Sequence, residues 1–199
     1  MLIVGGGIGG LCAAIALRRK GIVVDLVELK TQWTVYGVGI IQQSNVVREM
    51  AKLGVLEGYL GAAYAFEDLT INTTAGEQLA RIPGQRLAGP EYPANVGISR
   101  LALHQVLSET TIALGASIRL GLSVETLEQV GEGVDVLFTD GSRGRYDLVV
   151  GADGLYSKNA RLAVRRPVPP ALHRPSGVAL QLPACRRDRS SGHVPGTRR

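Results

Sequence analysis

Only two cysteines occur in the 199 residues, Cys12 and Cys185, which gives neither a disulfide framework nor the paired spacing of a cysteine metal site. Cys12 is expected to pack in the core. Histidine is almost as scarce, and His104, His173 and His193 show no metal-ligand or triad spacing. No catalytic residue and no metal site is therefore assigned, and His104 is expected on ordinary helix surface. No stretch reaches the roughly 18 apolar residues of a membrane span. The N-terminus lacks the positive region of a signal peptide, and glycines interrupt its apolar run at once. A soluble cytoplasmic protein with no membrane partner is the expectation.

With 45% apolar and 20% charged residues, the composition is that of a globular chain. The net charge of +5 is unevenly placed. Residues 1–162 carry 14 Lys and Arg against 16 Asp and Glu, net −2, whereas residues 163–199 carry 8 Arg and one Asp, net +7. The folded part thus offers no basic surface, and no nucleic-acid partner is expected there.

What the sequence does have is a concentrated N-terminal motif. The run LIV, GGGIGG, LCAAIALRRKG, IVVDLVE reads as strand, glycine turn, helix, second strand and carboxylate. Gly5, Gly7 and Gly10 hold the GxGxxG spacing in the context that gives it meaning. Gly5 allows the tight turn, Gly7 admits a diphosphate close to the backbone, and Gly10 lets helix and strand pack closely. The turn as a whole, Ile8 and Gly9 included, places a diphosphate on the helix N-terminus, where unpaired N–H groups and the macrodipole favour an anion. Leu11, Ala14, Ile15 and Leu17 form the apolar face of the helix, and Gly21 ends it. Glu28, eighteen residues after Gly10, is placed to accept hydrogen bonds from adenosine ribose hydroxyls and to repel a 2′-phosphate, favouring FAD or NAD over NADP at that end. The glycines alone would equally suit a glycine-rich turn with an incidental Glu; the strand, helix and second strand argue against that.

Further along, a loop over 30–39 precedes a helix from about Gln43 to Leu53 with Val46, Met50 and Leu53 on one face. Residues 55–63 suggest another short helix, and 67–72 with 78–82 a hairpin about Thr74, Ala75 and Gly76. The segment 83–93, with three prolines and two glycines, is a loop at the border of a ligand cavity. Ser99 is a plausible N-cap for a helix to Leu114 with Leu103, Leu107, Thr111 and Leu114 at helical spacing. Strands follow at 117–120, 124–129, 134–138 and 143–146, a β-meander inserted between parallel elements, with Asp140 and Gly141 as a hairpin turn. Residues 147–150 read as a buried strand, and Ser157 as the cap of a helix through Arg161.

These residues resemble the FAD-dependent monooxygenases of the aromatic-ring hydroxylase type, similar to para-hydroxybenzoate and salicylate hydroxylases. Three motifs carry the resemblance: the fingerprint ending at Glu28; GlyValGlyIle at 37–40 with Asn45, Arg48, Leu53 and Gly54; and SerArgLeu at 99–101 with Leu107, paired with AspLeuValValGlyAlaAspGly at 147–154. The implied fold is α/β, a Rossmann-like FAD-binding fold of glutathione-reductase type with an inserted β-meander. A dinucleotide-binding domain over 1–162 is expected to include part of a substrate-domain sheet near 67–99. The resemblance implies that Arg100 reaches the FAD diphosphate and ribityl region and that Asp153 assists FAD and nicotinamide binding. On the residues alone, Arg100 also fits a helix-start surface position and Asp153 a turn. It further implies NAD(P)H as cosubstrate, O₂, and a small aromatic substrate such as a phenol. A flavin-dependent oxidase or reductase, and a noncatalytic nucleotide-binding module, are the alternatives.

The family pattern stops near Leu162. Residues 163–199 hold six of the nine prolines and no apolar periodicity. Their Arg, Pro, Ala, Gly and Ser bias is what GC-rich DNA gives when read out of frame. A truncated or frameshifted chain lacking the C-terminal half of the family, with low or no activity, is the expectation; a natural disordered extension binding anions or nucleic acid through arginine is the alternative.

Overall fold

The computed structural model describes residues 1–33, 37–155 and 157. In chain order the elements are β1 (Leu2–Val4), α1 (Ile8–Arg19), β2 (Asp25–Glu28), β3 (Gly39–Gln43), α2 (Ser44–Leu53), α3 (Leu56–Gly61), β4 (Tyr64–Phe66), β5 (Asp68–Asn72) and β6 (Gln78–Pro83). They continue with β7 (Asn95–Ser99), α4 (Arg100–Ala113), β8 (Ser117–Leu120), β9 (Val124–Val130), β10 (Gly133–Phe138), β11 (Arg143–Tyr146) and β12 (Val149–Gly151).

The central sheet is parallel, in the order β12-β1-β2-β8. Because side chains alternate across a strand, it is packed on both faces. Ile3 and Leu26 join Leu11, Ala14 and Ile15 of α1 and Leu103 and Leu107 of α4 in one core. Leu2, Val4 and Val27 point the other way, onto Val124, Val136 and Phe138 of the meander. Each fully buried aliphatic chain of this kind contributes about 1.5–3 kcal/mol, which is how a first strand of three residues is held.

Helix α1 ends where Gly21 adopts a φ of +77°. Arg18, near that end, donates to the carbonyls of Leu114 and Ile22 at 2.8 and 3.1 Å, and Arg19 donates to that of Leu53 at 2.9 Å. The two cations thereby tie the ends of α1, α4 and α2 together, each meeting carbonyls that a helix end leaves unpaired. In α2 the fully buried residue is Val47, with Val46 and Leu53 only partly covered.

Strands β9, β10 and β11 form the antiparallel meander. Tyr146 fastens it to the parallel sheet by donating to Asp25 Oδ2 at 2.8 Å, and Arg119 lies 4.3 Å from the centroid of the Phe138 ring. A second sheet has the order β3-β7-β4, and β5 and β6 form a separate hairpin.

Several expectations need correction. The strand at 117–120 belongs to the parallel sheet as β8, leaving a three-stranded meander. Among the described residues the last strand is Val149–Gly151, which pairs with β1 alone, and Leu148 is 49% exposed. β3 and β4 were not anticipated, because their short runs lack a clear alternation. His104 is buried, with 4% exposure. The helix expected at 157–161 and the segment 163–199 lie outside the described residues, apart from Ser157.

Candidate functional site

The glycine turn between β1 and α1 is held by its neighbours. Gly5 has a φ of +111°, and a Cβ there would lie 2.4 Å from the Ala152 carbonyl oxygen and 2.8 Å from the Asp153 nitrogen. A Cβ on Gly10 would lie 1.9 Å from the Gly5 carbonyl oxygen. These two positions therefore require glycine for close approach, as the fingerprint predicts. Gly7 and Gly9 differ: a Cβ on either would meet nothing within 4 Å, so the space above the turn is open.

The first α1 bond runs from the Leu11 N–H to the Gly7 carbonyl at 2.9 Å. The preceding amides of Gly7, Ile8, Gly9 and Gly10 have no hydrogen-bond acceptor among the described residues. Unpaired N–H groups at a helix start, with the positive end of the macrodipole, form an anion-binding end. Beside it, Glu28 at the end of β2 accepts the Gly6 N–H on Oε2 at 2.7 Å and the Lys30 N–H on Oε1 at 3.0 Å. A carboxylate offers about four acceptor positions, so two remain for hydroxyl donors.

The second and third sequence motifs meet through strand register. β3 pairs antiparallel with β7, Gly39 opposite Ser99. The glycine motif at 37–40 is thereby set against the start of α4. Gly37 has a φ of +132°, and a Cβ there would stand 3.1 Å from Arg100 Cδ. Ser99 caps α4 by accepting the Ala102 N–H at 3.1 Å. The exposed Arg100 guanidinium has no hydrogen-bond or ion-pair partner among the described residues. Asp153 follows Ala152, whose carbonyl faces Gly5, and its Oδ1 accepts from Ser157 Oγ at 2.5 Å. The structure thus gathers Gly5, Gly7, Gly10, Glu28 and the Asp153 backbone about one turn, with Arg100 on the neighbouring helix start.

Three residues of this neighbourhood escaped the sequence reading. His104 Nε2 lies 2.8 Å from the Gly6 carbonyl oxygen. The Trp33 ring packs on the imidazole with centroids 4.9 Å apart and planes tilted by 56°. A Cβ on Gly6 would lie 2.5 Å from Trp33 Cζ3, so Gly6 is glycine to admit the indole. The available signal was periodicity: His104 sits beside the buried stripe of Leu103, Leu107, Ser108 and Thr111, four residues after Arg100.

Cys12 packs partly buried against the core, and burial pushes its thiol pKa up; it is suited to packing rather than nucleophilic chemistry. No cluster of metal-ligating side chains exists among the described residues, and none of their helices is long and apolar enough to cross a membrane. The loop after β6 does border a cleft: Pro83, Gly84, Gln85 and Leu87 line a space of about 300 Å³ with Ser44, Asn45 and Asn95.

Comparison with known proteins matches this geometry. A family model described as FAD binding domain matches residues 1–174. The chain is 32% identical over 173 residues to aurachin C monooxygenase/isomerase of Stigmatella aurantiaca, covering 85% of this chain and 44% of that protein. It is 33% identical over 161 residues to salicylate hydroxylase of Pseudomonas putida, covering 78% and 36%. Among solved structures, the flavin-dependent monooxygenase PieE in complex with FAD and substrate superposes with a TM-score of 0.67 at 26% identity, covering 81% of this chain and 31% of that one. The chain spans less than half the length of the curated relatives it matches. With the fingerprint turn, the Glu28 carboxylate and the match over residues 1–174 in agreement, the chain belongs to the FAD binding domain family, alongside FAD-dependent monooxygenases.

Proposed function

We propose that this chain provides the FAD-holding part of a monooxygenase that hydroxylates a small aromatic compound with O₂, using electrons from NAD(P)H. The observation that carries the proposal is the run of amides from Gly7 to Gly10, without an acceptor among the described residues, next to the fixed carboxylate of Glu28. Diphosphate fits the first group and ribose hydroxyls fit the second. The open space over Gly7, which a side chain would fill, is the room a diphosphate needs.

In this reading the amides of Gly7, Ile8, Gly9 and Gly10 hold the diphosphate, and Glu28 holds the adenosine ribose. The guanidinium of Arg100, without a hydrogen-bond or ion-pair partner among the described residues, adds a planar cation suited to bidentate phosphate contact. Asp153, fixed beside Gly5, adds a polar contact at the same turn. Bound flavin supplies the redox chemistry, passing electrons from the nicotinamide to O₂. The protein contributes binding, orientation and exclusion of water. The aromatic substrate class rests on the resemblance and on the salicylate hydroxylase relative.

A titration of the 199-residue chain with FAD, followed by flavin fluorescence, tests the assignment. Saturable binding is expected, and Gly7→Asp, which sets a carboxylate in the anion-binding turn, is expected to weaken it at least about tenfold, or 1.4 kcal/mol. Absence of binding by the unmodified chain overturns the assignment. For the activity, aromatic-dependent NAD(P)H oxidation must yield hydroxylated product; hydrogen peroxide alone points to an oxidase, and no turnover to a binding module.

A further inference from the structure

The glycine turn needs an external brace. Gly5, Gly6 and Gly7 carry no side chain, and glycine backbone is unusually free to reorient, yet the anion-binding amides must stay aimed. We propose that His104 is a positioning residue for this turn: by donating from Nε2 to the Gly6 carbonyl, it orients the Gly6–Gly7 peptide so that the Gly7 N–H faces the diphosphate. This rests on the FAD-binding reading above.

Carbonyl oxygen only accepts, so the 2.8 Å contact with Gly6 requires the proton on Nε2. A trans peptide is planar, with its C=O and N–H directed oppositely. Holding the Gly6 oxygen on the α4 side therefore sends the Gly7 N–H to the other side. A hydrogen bond on the carbonyl also polarises the N–H of the same peptide and strengthens it as a donor.

The imidazole is itself held. It is 4% exposed, and Trp33 packs on it at 4.9 Å while also covering the Gly6 Cα, where a Cβ would meet the indole at 2.5 Å. The Gly6 N–H is fixed separately by Glu28 at 2.7 Å. Both polar groups of Gly6 are thus committed, one to β2 and one to α4, and Gly7 is left with a single direction for its amide. Since Arg100 lies one helical turn before His104, α4 presents the brace and the Arg100 cation together.

The test uses the full chain and two variants. His104→Phe keeps an aromatic ring against Trp33 but removes the donor, whereas His104→Gln retains an N–H donor. FAD affinity is read by flavin fluorescence, and the Gly7 backbone amide resonance is read without ligand. His104→Phe is expected to weaken FAD about tenfold and to shift the Gly7 amide, while His104→Gln stays within about threefold of the parent. The proposal is overturned if His104→Phe binds FAD as tightly as the parent with the Gly7 resonance unmoved, or if Gln is as poor as Phe, which would leave ring packing as the whole role. If the parent binds no FAD, the functional assignment fails alone and the ligand-free Gly7 amide decides the brace. If His104→Phe does not fold, the imidazole ¹⁵N spectrum of the parent decides: a proton on Nε2 supports the brace, and a neutral ring protonated on Nδ1 removes it.

Discussion

The carboxylate of Glu28 accepts the Gly6 N–H at 2.7 Å, joining the end of β2 to the glycine turn. Since its other oxygen accepts the Lys30 N–H, both oxygens are used by backbone donors. Glu28→Gln replaces one acceptor by an NH₂ group, so one of those amides loses its partner. Unfolding by urea is expected to show a loss of about 1–3 kcal/mol, and FAD binding a loss of about tenfold or more. An unchanged unfolding midpoint would show that these bonds do not hold the turn.

Gly10 and Gly9 are neighbours in α1 with opposite expectations. A Cβ on Gly10 would stand 1.9 Å from the Gly5 carbonyl oxygen, whereas one on Gly9 meets open space. Gly10→Ala is expected to lower stability by about 1–3 kcal/mol through overpacking. Gly9→Ala is expected to be neutral or to add up to about 1 kcal/mol from helix propensity. Thermal melts of the two proteins, compared with the parent, check the contrast; equal effects would contradict it.

Arg100 separates binding from stability. Its guanidinium has no partner among the described residues, so Arg100→Met, which keeps the stem along Gly37, is expected to leave the melting temperature within about a degree or two, consistent with a surface change. FAD affinity is expected to fall about tenfold. Unaltered affinity would return Arg100 to a plain helix-start role.

Two tyrosines govern the alkaline limit. Tyr59, fully buried and donating to Gln42 at 2.7 Å, has its pKa pushed up to about 12 by burial. Tyr146 is likewise pushed up to about 12, by burial and then by the Asp25 carboxylate that it donates to. Both raised values mean that the folded chain holds these protons more tightly than the unfolded chain. Their contribution is complete below the ordinary value of about 10 and is lost as the pH rises through about 12. Urea midpoints should fall across that window, with phenolate absorbance appearing late; two tyrosines titrating normally in the folded chain would refute the assignment.

Much of the fold was legible in the residues. Ser99 as a cap, Gly21 as a helix stop, and Asp140 with Gly141 as a turn are local signals that need only a few neighbours to act. The hairpin of β5 and β6 and the three strands of the meander followed from the same turn chemistry. His104 was misplaced because three leucines and a threonine at helical spacing defined the face of α4, and a histidine beside that stripe reads as polar surface until its partner is known. β3 and β4 were missed because strands of three to five residues with mixed exposure have too few positions to display a period.

The sequence by itself determined the residue types and spacings of the dinucleotide turn, from Gly5 through Gly10 to Glu28, since a strand-turn-helix unit is governed by short-range sterics and helix-end hydrogen bonding. Tertiary structure decided which distant groups come near that turn. Pairing of Gly39 with Ser99 brought the motif at 37–40 against Arg100, and packing of α4 on α1 carried His104 to the Gly6 carbonyl across 98 residues of chain. Such contacts depend on how strands register and which faces bury together, and burial is a property of the whole assembled core rather than of any one segment.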